Sequence, residues 1–202
     1  GGSGSQGQKP AVLQVAALGL YRYTADGFLC GTGRKRPADG AGRRTVRSSV
    51  AAPQRYSAGL FYAHQTLAQL PTVVQCMEII DFPDLHYRAL MLDIVRNYYP
   101  VDSIRRVLDV MAQYKLNVLH LHLSDDEAWR LEIPGLPQLT DIGSKRGYTT
   151  DESECLLPMY CGGWDANANT TANGYITREE YIDLLKYAKE RHIRIIPEID
   201  MP

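Results

Sequence analysis

Asp125, Asp126 and Glu127 stand side by side in "LHLHLSDDEAWRLEI" (119–133), directly after a run in which leucine and histidine alternate. Neighbouring carboxylates can act as general acid and base, hold a cation, or build a polar network. Two further apolar runs, "ALMLDIV" (89–95) and "IRIIPEI" (193–199), end in Arg96 and in Asp200. A bidentate pair between Asp125 and Arg96 would hold the arginine fork in a fixed plane, a geometry suited to gripping vicinal hydroxyls. Glu198 and Asp200 flank Ile199, so strand parity lets them face the same way. Trp129, close behind the acids, fits either a stacking wall for a ligand or plain core.

Parity also puts His120 and His122 on one strand face and Leu119, Leu121 and Leu123 on the other. An H-x-H pair on a barrel strand is a zinc pattern of metal-dependent hydrolases. Such a site places the pair at the end of the barrel's first strand and adds further His and Asp ligands. Here the pair sits on the second apolar run after residue 84, short of the acids. A packed, hydrogen-bonded interior pair is expected, with Asp93 among its partners and no metal.

These residues need elements that gather them. From residue 84 the pattern reads strand (89–95), helix (102–115), strand (117–123), helix (176–192), strand (193–199). Ile104, Val107, Leu108 and Met111 recur at helical spacing in the first helix. Thr177 and Glu180 make a capping box at the start of the second, where Ile176 can staple onto Tyr181. Two consecutive βαβ units predict a parallel sheet, whose ligands bind at the carboxyl ends of the strands. Arg96, Asp125, Asp126 and Asp200 all fall there. Residues 127–176 are far longer than the roughly 2–6 residues usual between strand and helix, which points to functional decoration. Within that stretch "WRLEI" (129–133) predicts a short extra strand.

Upstream, residues 11–20 read as a strand and 56–71 as a helix stopped by Pro71, with Leu60, Phe61, His64, Leu67 and Ala68 on one side. Residues 72–80 read as extended, and "DFPD" (81–84) sets a domain boundary near 83. The stretch 31–55 carries seven basic residues against one acid and no aromatic, so it reads as a solvated loop and not a nucleic-acid patch. A net charge of −1 over 202 residues likewise argues against a nucleic-acid partner, and no apolar run approaches the roughly 20 residues of a membrane span. The absent initiator Met suggests a piece of a longer chain.

Four cysteines, Cys30, Cys76, Cys155 and Cys161, allow three pairings, and Cys155 with Cys161 would close a small loop. Asn169-Thr170-Thr171 in the same connection fits a glycosylation acceptor. Together they favour a secretory or lysosomal setting. The C-x-x-C doublets of zinc modules are missing.

Two long segments, "YRALMLDIVRNYYPVDSIRRVLDVMAQYKLNVLHLHLSDDEAWRLEIPGLPQLTDIGSKRG" and "YIDLLKYAKERHIRIIPEIDMP", resemble the family-20 glycoside hydrolases, the β-N-acetylhexosaminidases. "ESECLLPMY" (152–160) resembles the long second loop of the chitobiase-like branch, and "GLFYAHQTLAQLP" (59–71) the helix closing the small α+β domain before the barrel. The resemblance implies an α/β chain in two parts. Residues 1–83 would be a partial α+β domain with a basic insertion, and 84–202 the first three strands of a TIM (β/α)8 barrel. It implies removal of terminal N-acetylhexosamine from glycans or chitooligosaccharides, with no cofactor and, in full-length form, a possible homodimer. The sugar's own acetamido oxygen would be the nucleophile, an exception to the scheme of two enzyme carboxylates. By resemblance, the arginine for the 3- and 4-hydroxyls falls on Arg96, its acidic partner on Asp125, and the acid of the "EIDMP" motif on Asp200. The catalytic Asp-Glu of the H-x-G-G-D-E motif is absent from these residues and is expected beyond Pro202. A non-catalytic or carbohydrate-binding fragment is the alternative reading, and a metal-dependent barrel hydrolase a distant one.

Overall fold

The computed structural model describes residues 12–16, 20–24, 45–48, 53–70 and 81–200. Its contacts divide the chain into two units, Gly1–His86 and Tyr87–Pro202.

In the first unit β1 (Val12–Ala16), β2 (Leu20–Thr24) and β3 (Thr45–Ser48) form an antiparallel sheet in that order, followed by helix α1 (Pro53–Ala68). The apolar run 11–20 is therefore not one strand. Val12–Ala16 belongs to β1, and Leu20 opens β2 and pairs with Ala16. The basic stretch is not all loop either, because Thr45–Ser48 adds to the sheet edge. Helix α1 opens on proline, which needs no hydrogen bond for its missing N–H in the first turn. It buries Gly59 and Ala63, one turn apart, and leaves His64 and Ala68 exposed. The buried stripe is rotated from the expected one because the small residues allow the closest approach. The extended segment expected over 72–80 lies outside the described residues.

The second unit runs β4 (Ala89–Asp93), α2 (Val101–Gln113), β5 (Val118–Asp125), β6 (Ala128–Trp129), α3 (Gln138–Asp141), α4 (Arg178–Glu190) and β7 (Arg194–Ile199). Strand β5 is central, parallel to β4 on one side and to β7 on the other. Its Leu119, Leu121 and Leu123 are fully buried, as alternation requires. Helix α2 buries Ile104, Leu108 and Met111, and α4 buries Leu184 and Ala188. The Thr177–Glu180 capping box closes the start of α4 in both directions. Between the helices, Asp109 accepts from the Tyr187 hydroxyl at 2.9 Å and from Arg191 Nε at 2.7 Å. Three parallel strands linked by these crossovers are the opening of a (β/α)8 barrel.

Strand β4 departs from expectation. Its apolar run suggested burial on both faces, yet Ala89, Leu90 and Met91 are exposed. Among the described residues it pairs only with β5, and alternation puts Ala89 and Met91 on one face and Leu90 on the other, so both faces are left partly uncovered. The extra strand predicted over 129–133 is shorter and earlier. Ala128 and Trp129 turn back antiparallel onto Asp125 and Ser124, while Leu131 bridges to Ile176.

Candidate functional site

The strand ends bring the expected residues together. Arg96 lies just past β4 and Asp125 ends β5, while Asp200 follows β7. A register shift between His122 and Ser124 lets β7 lean over the end of β5. There the Ser124 hydroxyl donates to the Asp200 carbonyl at 3.2 Å. Arg96 Nη1 is 3.0 Å from Asp125 Oδ2 and 2.6 Å from Asp93 Oδ2. The expected bidentate pair is not made, because Asp93 shares the same nitrogen. Two carboxylates on Nη1 leave Nε and Nη2 without a protein acceptor among the described residues, on a side chain that is 49% exposed. Those free donors are the groups that could take hydroxyl oxygens.

Charge supports this posture. The Asp93 hydrogen bond, then the Asp125 charge, raise the Arg96 pKa above its ordinary value. Burial alone would raise the Asp93 carboxyl, but hydrogen bonds from the Arg96 side chain and from the N–H groups of Val95 and Arg96 outweigh it and hold it below 3.8. Asp93 was expected to partner the histidines. It pairs with His122 in register, yet its carboxylate caps the turn into Arg96 instead.

His122 is buried and lies 3.1 Å from Asp125 Oδ2 through Nε2. Its Nδ1 is 3.2 Å from Glu198 Oε2, which is itself 2.8 Å from His120 Nε2. Arg96, Asp125, His122 and Glu198 thus form one continuous polar chain across three strands. His122, Glu198 and Asp200 offer ligand atoms within 4.8 Å of one another and could hold a cation. Asp126 is exposed and without a protein partner among the described residues.

Beneath the arginine lies an arrangement that the sequence reading missed. Glu127 is buried and receives Arg146 Nη1 at 3.0 Å, while Arg146 Nη2 donates to the Arg96 carbonyl at 2.7 Å. The second Glu127 oxygen accepts the Tyr160 N–H. Arg130 is fully buried, with no carboxylate partner among the described residues. It donates instead to the carbonyls of Val95, Ser144, Ala172 and Gly174, at 2.7–3.2 Å. Burial, reinforced by the Arg146 charge, lowers its pKa to about 10. Two of the three acids of the opening motif are therefore spoken for: Asp125 holds an arginine, a histidine and the Glu127 N–H, and Glu127 holds the loop. Their work is positioning. The one hint in the sequence was a pair of arginines beside apolar neighbours, at 130 within "AWRLEI" and at 146.

The expected disulfide is absent, since Cys155 and Cys161 are both free thiols. Their environments differ. Cys155 is buried against Gly147, whereas Cys161 is half-buried and within electrostatic reach of Arg96. Asn169 is exposed on the same loop. Cys30 and Cys76 lie outside the described residues.

The family model "Glycosyl hydrolase family 20, catalytic domain" matches residues 85–202. The chain belongs to glycosyl hydrolase family 20. An N,N'-diacetylchitobiase of Vibrio harveyi is 47% identical over 150 residues, covering 72% of this chain and 17% of that protein. A β-hexosaminidase of Porphyromonas gingivalis is 34% identical over 172 residues, covering 79% of this chain and 20% of that protein. Among solved structures, an exo-β-N-acetylglucosaminidase of Vibrio harveyi in complex with N-acetylglucosamine superposes with a TM-score of 0.61 at 39% identity. It covers 71% of this chain and 22% of its own. The N-acetyl-β-hexosaminidase of Streptomyces plicatus gives 0.54 at 36% identity, over 71% of this chain and 28% of its own. The chain therefore spans about a fifth of the family-20 relatives it matches.

Proposed function

We propose that this chain supplies the sugar-gripping part of an exo-β-N-acetylhexosaminidase active site. The observation that carries the reading is Arg96, clamped on one nitrogen by Asp93 and Asp125 and left with Nε and Nη2 free at the strand ends. In this reading the free donors bind the 3- and 4-hydroxyls of a terminal non-reducing N-acetylhexosamine. Asp125 fixes the fork, and Asp200 lines the same pocket mouth. The substrates are glycans or chitooligosaccharides, cleaved with retention by the substrate's own acetamide. The acid/base glutamate and the acetamide-orienting aspartate belong to a later strand, so residues 1–202 alone bind without hydrolysing.

A segment exchange tests this. Residues 85–202 would replace the matched segment of the Vibrio harveyi chitobiase, and chitobiose hydrolysis would be followed. Activity is expected in the exchange protein and a large loss on Arg96→Ala. Activity that ignores Arg96→Ala would sink the assignment.

A further inference from the structure

The loop that braces Arg96 has a second face. Its outer side encloses a cleft of about 510 Å³. Lys145, Tyr148, Glu154, Trp164, Asp165 and Asn167 are among its lining residues. Trp164 is 67% exposed and Tyr148 is 78% exposed. The Tyr148 N–H donates to the Trp164 carbonyl at 3.3 Å, so the two aromatic residues sit side by side across the loop. Large rings held in water without covering protein carry a hydration cost that a stacked ligand removes.

The cleft is built and not a chance dent. Its lining is closely packed at Gly147, where an added Cβ would lie 3.0 Å from Ala166 Cβ, Ala166 N and Cys155 Sγ. Gly163, at φ +124, presents Trp164 outward through a backbone shape that L side chains rarely adopt. Polar groups stand ready around the rings. Among the described residues, Lys145 has no ion-pair partner, and the side chains of Glu154 and Asn167 bond to no other group. The Asp165 carboxylate accepts the Asn167 N–H of its own turn at 2.9 Å, while the Asp165 carbonyl takes the Asn173 amide at 3.0 Å.

Chemistry narrows the occupant. Asp141, Glu154 and Asp165 against the single Lys145 repel phosphates and nucleotides. Two rings with separate donors and acceptors suit a neutral ligand that has an apolar C–H face and an equatorial rim of hydroxyl and amide groups. A pyranose chain bearing acetamides is such a ligand. We propose that this cleft is a second carbohydrate-binding site for β-linked N-acetylhexosamine chains, stacked on Trp164 and Tyr148. The inference rests on the carbohydrate reading above and adds a site distinct from Arg96. Arg146 belongs to the stretch that lines the cleft, yet its side chain reaches Glu127 and the Arg96 carbonyl. A chain held in the cleft is thereby kept beside the strand ends, which raises its effective concentration there.

Trp129 and Trp164 are the only two tryptophans, so subtracting the emission of Trp164→Phe, which keeps Trp129 alone, isolates the Trp164 signal. Titration with tetraacetylchitotetraose should shift Trp164 emission to the blue, and cellotetraose should do so far less. Tyr148→Ala should weaken the response about tenfold, and Lys186→Ala, on the exposed face of α4, should change it by less than about twofold. Retention of the chain on chitin beads should fall with Trp164→Ala and recover with Trp164→Phe. Binding that vanishes with Arg96→Ala but survives Tyr148→Ala and Trp164→Ala would overturn the cleft and leave the active-site reading standing. No spectral shift and no retention would also overturn it, while the segment exchange would still judge Arg96 separately.

Discussion

Replacing Glu127 by glutamine should cost the second unit more than any surface change could. The Glu127 side chain is 0% exposed and its Arg146 partner 1%, at 3.0 Å. Breaking a buried pair by removing one charge costs about 3–5 kcal/mol, because the other charge stays behind in a poor solvent. Glutamine keeps the shape and can still accept the Tyr160 N–H, which sets the expectation near the lower end, about 3 kcal/mol. Alanine also strands that N–H, adding about 1–3 kcal/mol. With a urea slope of about 2 kcal/mol/M, the glutamine change should lower the unfolding midpoint by about 1.5 M. Circular dichroism of the 202-residue chain at one fixed concentration would measure it. The double change Glu127→Leu with Arg146→Met should recover most of the loss, since an apolar pair carries no stranded charge. A midpoint shift under about 0.3 M for glutamine, or a double variant as poor as the sum of the singles, would refute the buried-charge argument.

Arg96→Lys in the segment-exchange enzyme should lower kcat/KM about 30-fold or more on a chromogenic N-acetylglucosaminide, since an ammonium cannot reproduce the planar fork. An unchanged value would remove Arg96 from the site. Chelation should leave that enzyme's activity intact and metal analysis should find no stoichiometric zinc, whereas activity lost with a bound zinc would make His122, Glu198 and Asp200 its ligands. Acidification should weaken the Arg96 clamp in a definite direction. The Asp93 carboxyl is held below 3.8, so its stabilisation is present above about pH 4 and is lost as pH falls through the lowered pKa, read as a dropping thermal midpoint that Asp93→Asn abolishes. Strands β4 and β7 each pair only with β5 among the described residues, so sedimentation of the 202-residue chain should show concentration-dependent self-association, and a strict monomer would contradict this.

The chemistry at the strand ends was legible because chain order dictates it. In a parallel sheet every strand's carboxyl end faces one side, so Arg96, Asp125 and Asp200 had to converge once the βαβ pattern was read. Helix α4 was legible for a local reason, its reciprocal cap at Thr177 and Glu180. What escaped was non-local. Arg146 meets Glu127 19 residues away, past β6 and α3, and Arg130 meets Val95 35 away, separations over which periodicity carries no signal. The Asp93 carboxylate was misassigned because strand register names a neighbour but not the direction a side chain takes. The paired cysteines failed similarly: closeness in sequence did not stop one thiol facing Gly147 and the other Arg96.

Arg130 has a consequence for how this loop can change. It ties the loop to the end of β4 through main-chain carbonyls at three loop positions and at Val95, and a carbonyl is the same group whichever residue carries it. The anchor therefore reads the path of the chain and is blind to side chains at Val95, Ser144, Ala172 and Gly174. Loops of different composition can be exchanged here, provided their backbones still pass those points and keep glycine at 174, where φ is +125 and a Cβ would lie 2.6 Å from Tyr98 Cδ1. Arginine itself has no such latitude, because no other side chain offers a planar set of donors wide enough to span them. Tolerance to sequence drift and intolerance of a single replacement are in this way two sides of one contact.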